Sequence, residues 1–300
     1  MSDKSAALLS NNFIYSAMAL YTLAFFTHAV EVAWSVKTPA ASIKKTKLDF
    51  SRTERVGRLA SSFMILGFLL LLAAVIFRGI SAHRVPWGNM YEFSITGALA
   101  FSAAYLFGLK KYKVRWLGLP VSIAVLLTLG TAITLLYRPS APLVPALKST
   151  WLVIHVSAAI ISGGVFLLAN CIAATYLLMD RYEQKGSRPT WAQRLPSLEA
   201  LDNLSYRLVA LVFPLWSFAV IAGAIWAESA WGRYWGWDPK ETWAFITWVI
   251  YAAYLHARAT VGWRCRKAAF VALAGYGAIM FNYFIVNMYV NGLHSYSGLN

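Results

Sequence analysis

The sequence predicts an all-α protein, a polytopic integral-membrane bundle of about eight transmembrane helices. Three observations predict it. Of 300 residues, 59% are hydrophobic and 13% charged, roughly half the charged share of an ordinary soluble domain. Eight apolar runs approach the ~20 residues a membrane-crossing helix needs. The basic residues crowd into alternate connections between those runs. In lipid every backbone polar group must be satisfied within its own segment, so helices are expected throughout.

The runs lie at about 12–34, 58–78, 90–108, 116–137, 150–179, 206–227, 241–258 and 268–290. After the first come Lys37, Lys44, Lys45, Lys47, Arg52, Arg55 and Arg58. After the third come Lys110, Lys111, Lys113 and Arg115, and after the fifth Arg181, Lys185, Arg188, Arg194 and Arg207. After the seventh come Arg258, Arg264, Arg266 and Lys267. Together these are 20 of the 27 basic residues. The excess of Lys and Arg marks the cytoplasmic side, which places both termini and the connection at 228–240 outside the plasma membrane. The net charge of +15 therefore reads as a topology signal with weak attraction to anionic lipid, and not as a nucleic-acid surface.

The whole chain, 1–300, reads as one transmembrane domain. The loops at about 35–57 and 180–205 are too short for an independent core. No cleavable signal peptide is expected, since the N-terminal region has no short apolar core ending in a small-residue cleavage site. Cys171 and Cys265 form neither a disulfide framework nor a redox pair, and no C-x-x-C-H occurs, so the chain carries no covalent c-type haem of its own. Pro139, Pro142 and Pro145 stiffen the second outer loop. Pro120 and Pro214 fall inside spans, where membrane helices tolerate a kink.

The external segment at about 228–243 contains "WGRYWGWDP", residues 231–239. An interfacial aromatic belt accounts for single tryptophans, but not for Trp226, Trp231, Trp235, Trp237 and Trp243 within eighteen residues. Gly232 and Gly236 permit close backbone approach between them. Such a ridge suits a large, flat, apolar partner such as a porphyrin. Asp238 has a structural reading of its own. Asp238-Pro239-Lys240-Glu241 has the pattern of an N-cap, a proline at the first helical position and a capping-box glutamate.

A histidine within a span is costly and marks function by default, and imidazole is a common axial ligand for haem iron. His155 lies near the outer end of span five, and His294 follows span eight on the same side. With the aromatic ridge they compose a bis-histidine haem site; two interfacial histidines bonded to loops are the alternative. His256 sits 13 residues after Trp243, roughly 20 Å along a helix, and belongs near the inner end of span seven. His28 lies at similar depth in span one. It either pairs with His256 or is a packed histidine with a local hydrogen bond. His83, in a polar outer loop, reads as solvated.

"WGRYWGWD" resembles the tryptophan-rich WWD motif of haem-handling proteins. The chain as a whole resembles the CcsA/ResC type of cytochrome c biogenesis protein (System II), including "NMYEF" at 89–93 and the ending "GLHSYSG". The resemblance implies a haem exporter and cytochrome c synthase working with a ResB-type partner subunit. Its cargo is haem b, and its product is haem joined to an apocytochrome c at C-x-x-C-H. It implies that His155 and His294 ligate an outer haem beneath the motif formed by Trp231, Gly232, Trp235, Trp237 and Asp238. It also implies that His256 ligates an inner haem, with the second ligand supplied by the partner, which leaves His28 unneeded. The chain has no large ResB-type domain, so it resembles the separate subunit. Arg233 and Lys240 are candidate propionate contacts, with ordinary interfacial charge as the alternative. Glu92 has no chemical role legible here beyond an outer-surface hydrogen bond or a contact near a propionate. A haem b-containing electron-transfer subunit and a small-solute transporter remain as other readings. The first predicts permanently held haem between facing spans, the second repeat halves with broken helices.

Overall fold

A computed structural model describes residues 2–36, 47–141 and 147–294. The basic stretch at 37–46, Pro142, Pro145 and the end of "GLHSYSG" from 295 lie outside the described residues. The helices are α1 (Asp3–Val36), α2 (Lys47–Ala82), α3 (Met90–Tyr112), α4 (Gly118–Thr134), α5 (Thr150–Gln184), α6 (Leu198–Trp231), α7 (Pro239–His256) and α8 (Cys265–Met280). No strand occurs among the described residues.

Long-range polar contacts fix which helix ends lie together. Asp3 pairs with His83 at 2.9 Å, Asn11 donates to the Tyr137 hydroxyl, and Ser94 bonds Tyr283. These join the start of α1, the end of α2, the start of α3, the end of α4 and the end of α8. His294 reaches Asp238 at the start of α7 at 2.8 Å. At the opposite end Glu31 pairs with Arg115, Asp180 with Arg266 and Asp202 with Arg258. The chain therefore runs up and down as an antiparallel bundle. The tryptophan segment, Asp3 and His294 share one end, and Arg115, Arg258 and Arg266 share the other. α1 packs on α2 and α4, α5 on α3, α6 and α8, and α7 on α8 and α6.

Seven helical segments among the described residues are long and apolar enough to cross a membrane by length and composition. The sequence count of eight also included 241–258. α7 differs because its 18 residues include Lys240, Glu241 and four Trp or Tyr side chains (Trp243, Trp248, Tyr251, Tyr254). Its path is nonetheless that of its neighbours. It starts at the level of the end of α6 and finishes at His256, just before Arg258, which is bonded to Asp202 near the start of α6. Pro214 lies inside α6. Pro120 falls in the first turn of α4, where a missing N–H costs no helical hydrogen bond.

Glu92 is not at the surface. It is fully buried between Arg78 at 3.0 Å and Arg84 at 2.7 Å. It also accepts from the Gly88 N–H, while Asn89 caps α3 by accepting from the Glu92 N–H. Arg78 donates further to the Arg138 carbonyl at 2.7 Å, so one carboxylate ties α2, α3 and the segment after α4. Glu92→Gln leaves two guanidinium groups uncompensated in a dry site, which costs about 3–5 kcal/mol. The expected outcome is a clear drop in the thermal midpoint of the detergent-solubilised protein. A midpoint within about 1 °C of wild type contradicts it.

Candidate functional site

At the tryptophan end a cavity of about 280 Å³ opens into the bundle, lined by His155, His294, Trp226, Tyr234, Trp235, Lys240 and Glu241 among others. Its floor reaches Phe101, Leu167 and Trp216. His155 comes from the second turn of α5, which starts where Ser149 caps it by accepting from the Trp151 N–H. Its Nδ1 lies 2.7 Å from the Ala219 carbonyl of α6. A carbonyl only accepts, so Nδ1 carries the proton and Nε2 keeps its lone pair.

His294 is held likewise. Its Nδ1 lies 2.8 Å from Asp238 Oδ1, again leaving Nε2 as the free acceptor. Burial pushes the His294 pKa down, opposed by the Asp238 carboxylate, so the ring is neutral near pH 7. Burial alone would raise the Asp238 pKa. Hydrogen bonds from His294 and the Leu293 N–H outweigh it and hold the carboxyl at about 2.

Asp238 also does what its local sequence predicts. It accepts from the Lys240 N–H as N-cap of α7, and Glu241 completes a capping box. One Glu241 oxygen accepts from the N–H groups of both Gly236 and Asp238. That grip folds the chain tightly around Trp237, which sits at φ 56°, a left-handed conformation costing on the order of 1 kcal/mol or more. The result is a side chain standing 65% exposed at the rim. The same carboxylate pair thus starts a helix, fixes a histidine and presents a tryptophan.

The tryptophans divide into two groups where the sequence suggested one ridge. Trp226 and Trp231 pack on the histidines: Trp226 lies 6.2 Å from His155 and 5.5 Å from His294, and Trp231 lies 4.6 Å from His294, centroid to centroid. Trp235 and Trp237 pair edge to face with one another and with Phe245 of α7. Gly232, at φ 71°, ends α6 as its C-cap. Arg233 is not among the cavity-lining residues. Its guanidinium lies across Gly236, where a Cβ would overlap it.

Sequence reasoning missed Gly223. A Cβ there would stand 2.7 Å from His155 Cε1 and 2.8 Å from Nδ1, inside any van der Waals contact. Only glycine lets the imidazole lie flat against α6. Gly223→Ala is expected to displace the ring from the Ala219 carbonyl and to lower haem content at this site. Wild-type haem content and spectrum in that variant contradict the assignment. A Gly facing a histidine from another helix leaves no mark in a single sequence.

The inner candidates are not brought together. His256 is exposed at the last turn of α7. His28 is 2% exposed, with Nδ1 3.1 Å from Glu31 and its other edge against Gly118 of α4. This is the packed histidine with a local hydrogen bond. His83 pairs with Asp3 on the surface. Among the described residues no three His, Cys, Asp or Glu side chains converge as a site for a bare metal ion.

The set at the outer end fits a haem as cargo: two imidazoles with free Nε2 atoms on one cavity, indole walls, and a lysine at the edge. The family model described as "Cytochrome C assembly protein" matches residues 87–294. The chain belongs to the cytochrome c assembly protein family. It is 36% identical to cytochrome c biogenesis protein CcsA of Guillardia theta, the match covering 84% of this chain and 90% of that one. It is 35% identical to CcsA of Porphyra purpurea, over 85% and 92% of the two chains. It is 33% identical to CcsA of Synechococcus sp. strain JA-3-3Ab, over 82% and 88%. Among solved structures, cytochrome c haem lyase CcmF shares the fold, with TM-score 0.66 and 17% identity over 95% of this chain and 47% of that one. The family match takes in every lining residue of the outer cavity, from Phe93 to His294.

Proposed function

We propose that this cytochrome c assembly protein is the membrane subunit of a haem exporter and cytochrome c synthase. It receives haem b near its basic end, at His256 with a ligand from a ResB-type partner. It presents haem at its tryptophan end, between His155 and His294. The observation that carries this reading is the matched pair of outer histidines, each held through Nδ1 and both lining one aromatic-walled cavity. In this reading α7 crosses the membrane with the other seven helices, and the tryptophan end is extracytoplasmic.

The chain's task is orientation more than acid–base chemistry. The histidine–Asp238 and histidine–Ala219 hydrogen bonds aim the two imidazoles. Lys240, at the cavity, is the better placed of the two candidate propionate contacts. Trp237 and Tyr234, both exposed, form the rim against which a C-x-x-C-H segment docks. Each cysteine thiol then adds across a vinyl group, sulfur to one carbon and its proton to the other, while the segment's histidine replaces one protein imidazole.

The test is co-expression of this chain, its ResB-type partner and a C-x-x-C-H reporter in a host lacking its own maturation system. The expected result is reporter carrying covalent haem only when this chain is present. Equal covalent haem without it refutes the proposal. The electron-transfer reading predicts tightly held haem in the complex and no effect on the reporter.

A further inference from the structure

His256 lacks what the outer histidines have. Among the described residues its imidazole has no hydrogen-bond partner, so the backbone beneath it sets its direction. The next five residues, Ala257–Val261, form a π-helical turn, a distortion that concentrates at functional sites. From this turn Arg258 forks onto Asp202 of α6, at 2.7 and 2.9 Å. Its guanidinium lies 4.4 Å from the Tyr206 ring centroid. Both side chains are buried, at 4% and 8% exposure. Asp202 Oδ1 also accepts from the N–H of Cys265 at 3.1 Å, where α8 begins and φ is 64°. One carboxylate thus joins α6, the turn after α7 and the start of α8.

Residues two apart on a helix point about 200° apart. Pinning Arg258 inward on α6 therefore turns His256 outward, and His256 is exposed where Arg258 is buried. A buried ion pair is poor support for stability, because desolvation offsets its attraction. A two-toothed pair does fix rotation.

We propose that Asp202, acting through Arg258, is the positioning residue for His256 and sets the direction in which that imidazole meets its ligand. This rests on His256 being the inner haem ligand. The complex with the ResB-type partner is purified as wild type, Asp202→Asn, Arg258→Lys and His256→Ala, and haem is titrated into each by visible absorption. Separately, a nitroxide is placed on His256→Cys in a Cys171→Ser, Cys265→Ser background, with and without Asp202→Asn, and its mobility read without haem. Loss of the contacts that fix a ligand's direction is expected to weaken binding about tenfold. The expected result is that weakening at the inner site in Asp202→Asn and Arg258→Lys, an unchanged outer signal, and a more mobile label. If His256→Ala loses the inner signal while Asp202→Asn and Arg258→Lys bind as wild type and the label is unchanged, the positioning role is overturned. If His256→Ala keeps the inner signal, the reading of His256 itself fails. Should Asp202→Asn not fold, Arg258→Lys, which retains the charge and loses the fork, decides alone.

Discussion

Alanine at His155 or His294 is expected to abolish covalent haem attachment to a C-x-x-C-H reporter while leaving the protein folded. Both imidazoles line the same cavity, and with Nδ1 engaged the Nε2 of each is the ring nitrogen left to bind iron. Losing an iron ligand outweighs losing its outer-shell partner, which itself costs about 10–100-fold. The fold does not depend on these rings as the buried ion pairs show it does on Glu92. His155 bonds a single carbonyl, and His294 follows the last helical turn, Asn287–Tyr289. In-gel haem staining of the reporter, beside the thermal midpoint of each variant, checks this. Attachment above one-tenth of wild type in both single variants contradicts it.

Asp238→Asn is expected to weaken haem binding at the outer site about 10–100-fold, though asparagine is as good an N-cap as aspartate. The cap survives; the charge that holds His294 as an Nδ1–H donor does not. Asp238→Ala removes both, adding about 1 kcal/mol of lost helix capping. The pH behaviour follows from the same contact. The Asp238 carboxyl is depressed to about 2 in the fold, below its unfolded value near 4. Its stabilisation is therefore present above pH ~4 and is lost as pH falls from about 4 to about 2. Burial lowers the His294 pKa, so the neutral ring persists as pH falls below the usual imidazole range near 6.5. Haem titrations across pH 5–8 should show no loss of outer-site binding near pH 6.5. A midpoint at or above 6.5 contradicts the neutral, Asp-held ring. The acid limb of thermal unfolding between pH 4 and 2 should be shallower in Asp238→Asn than in wild type.

Much of this was legible in the sequence because membrane chemistry is repetitive. Length and apolarity gave seven of the helices, and the basic connections gave their alternation. α7 was the least apolar run, and what settles its path is the pairing of Arg258 with Asp202, a contact 56 residues apart. The N-cap of α7 could be read from Asp238-Pro239-Lys240-Glu241 because capping is local. That the same Asp238 holds His294 could not, since the partner lies 56 residues away. Clustering of tryptophans was visible; their division between Trp226–Trp231 and Trp235–Trp237 depends on where α6 ends and α7 begins. The role of Glu92 could not be read, because its two arginines come from α2 and from the turn before α3. Gly223 and Ala219 were invisible because their role is to make room for, and accept from, a side chain on another helix.

The most direct measurement is the visible spectrum of the chain purified with its ResB-type partner, as wild type, His155→Ala and His294→Ala, with and without added imidazole. A pair of protein imidazoles on one haem gives a low-spin reduced spectrum in wild type, its loss in each variant, and its return with imidazole. The same haem content and spectrum in all three preparations, or no haem in any, contradicts a haem held between His155 and His294.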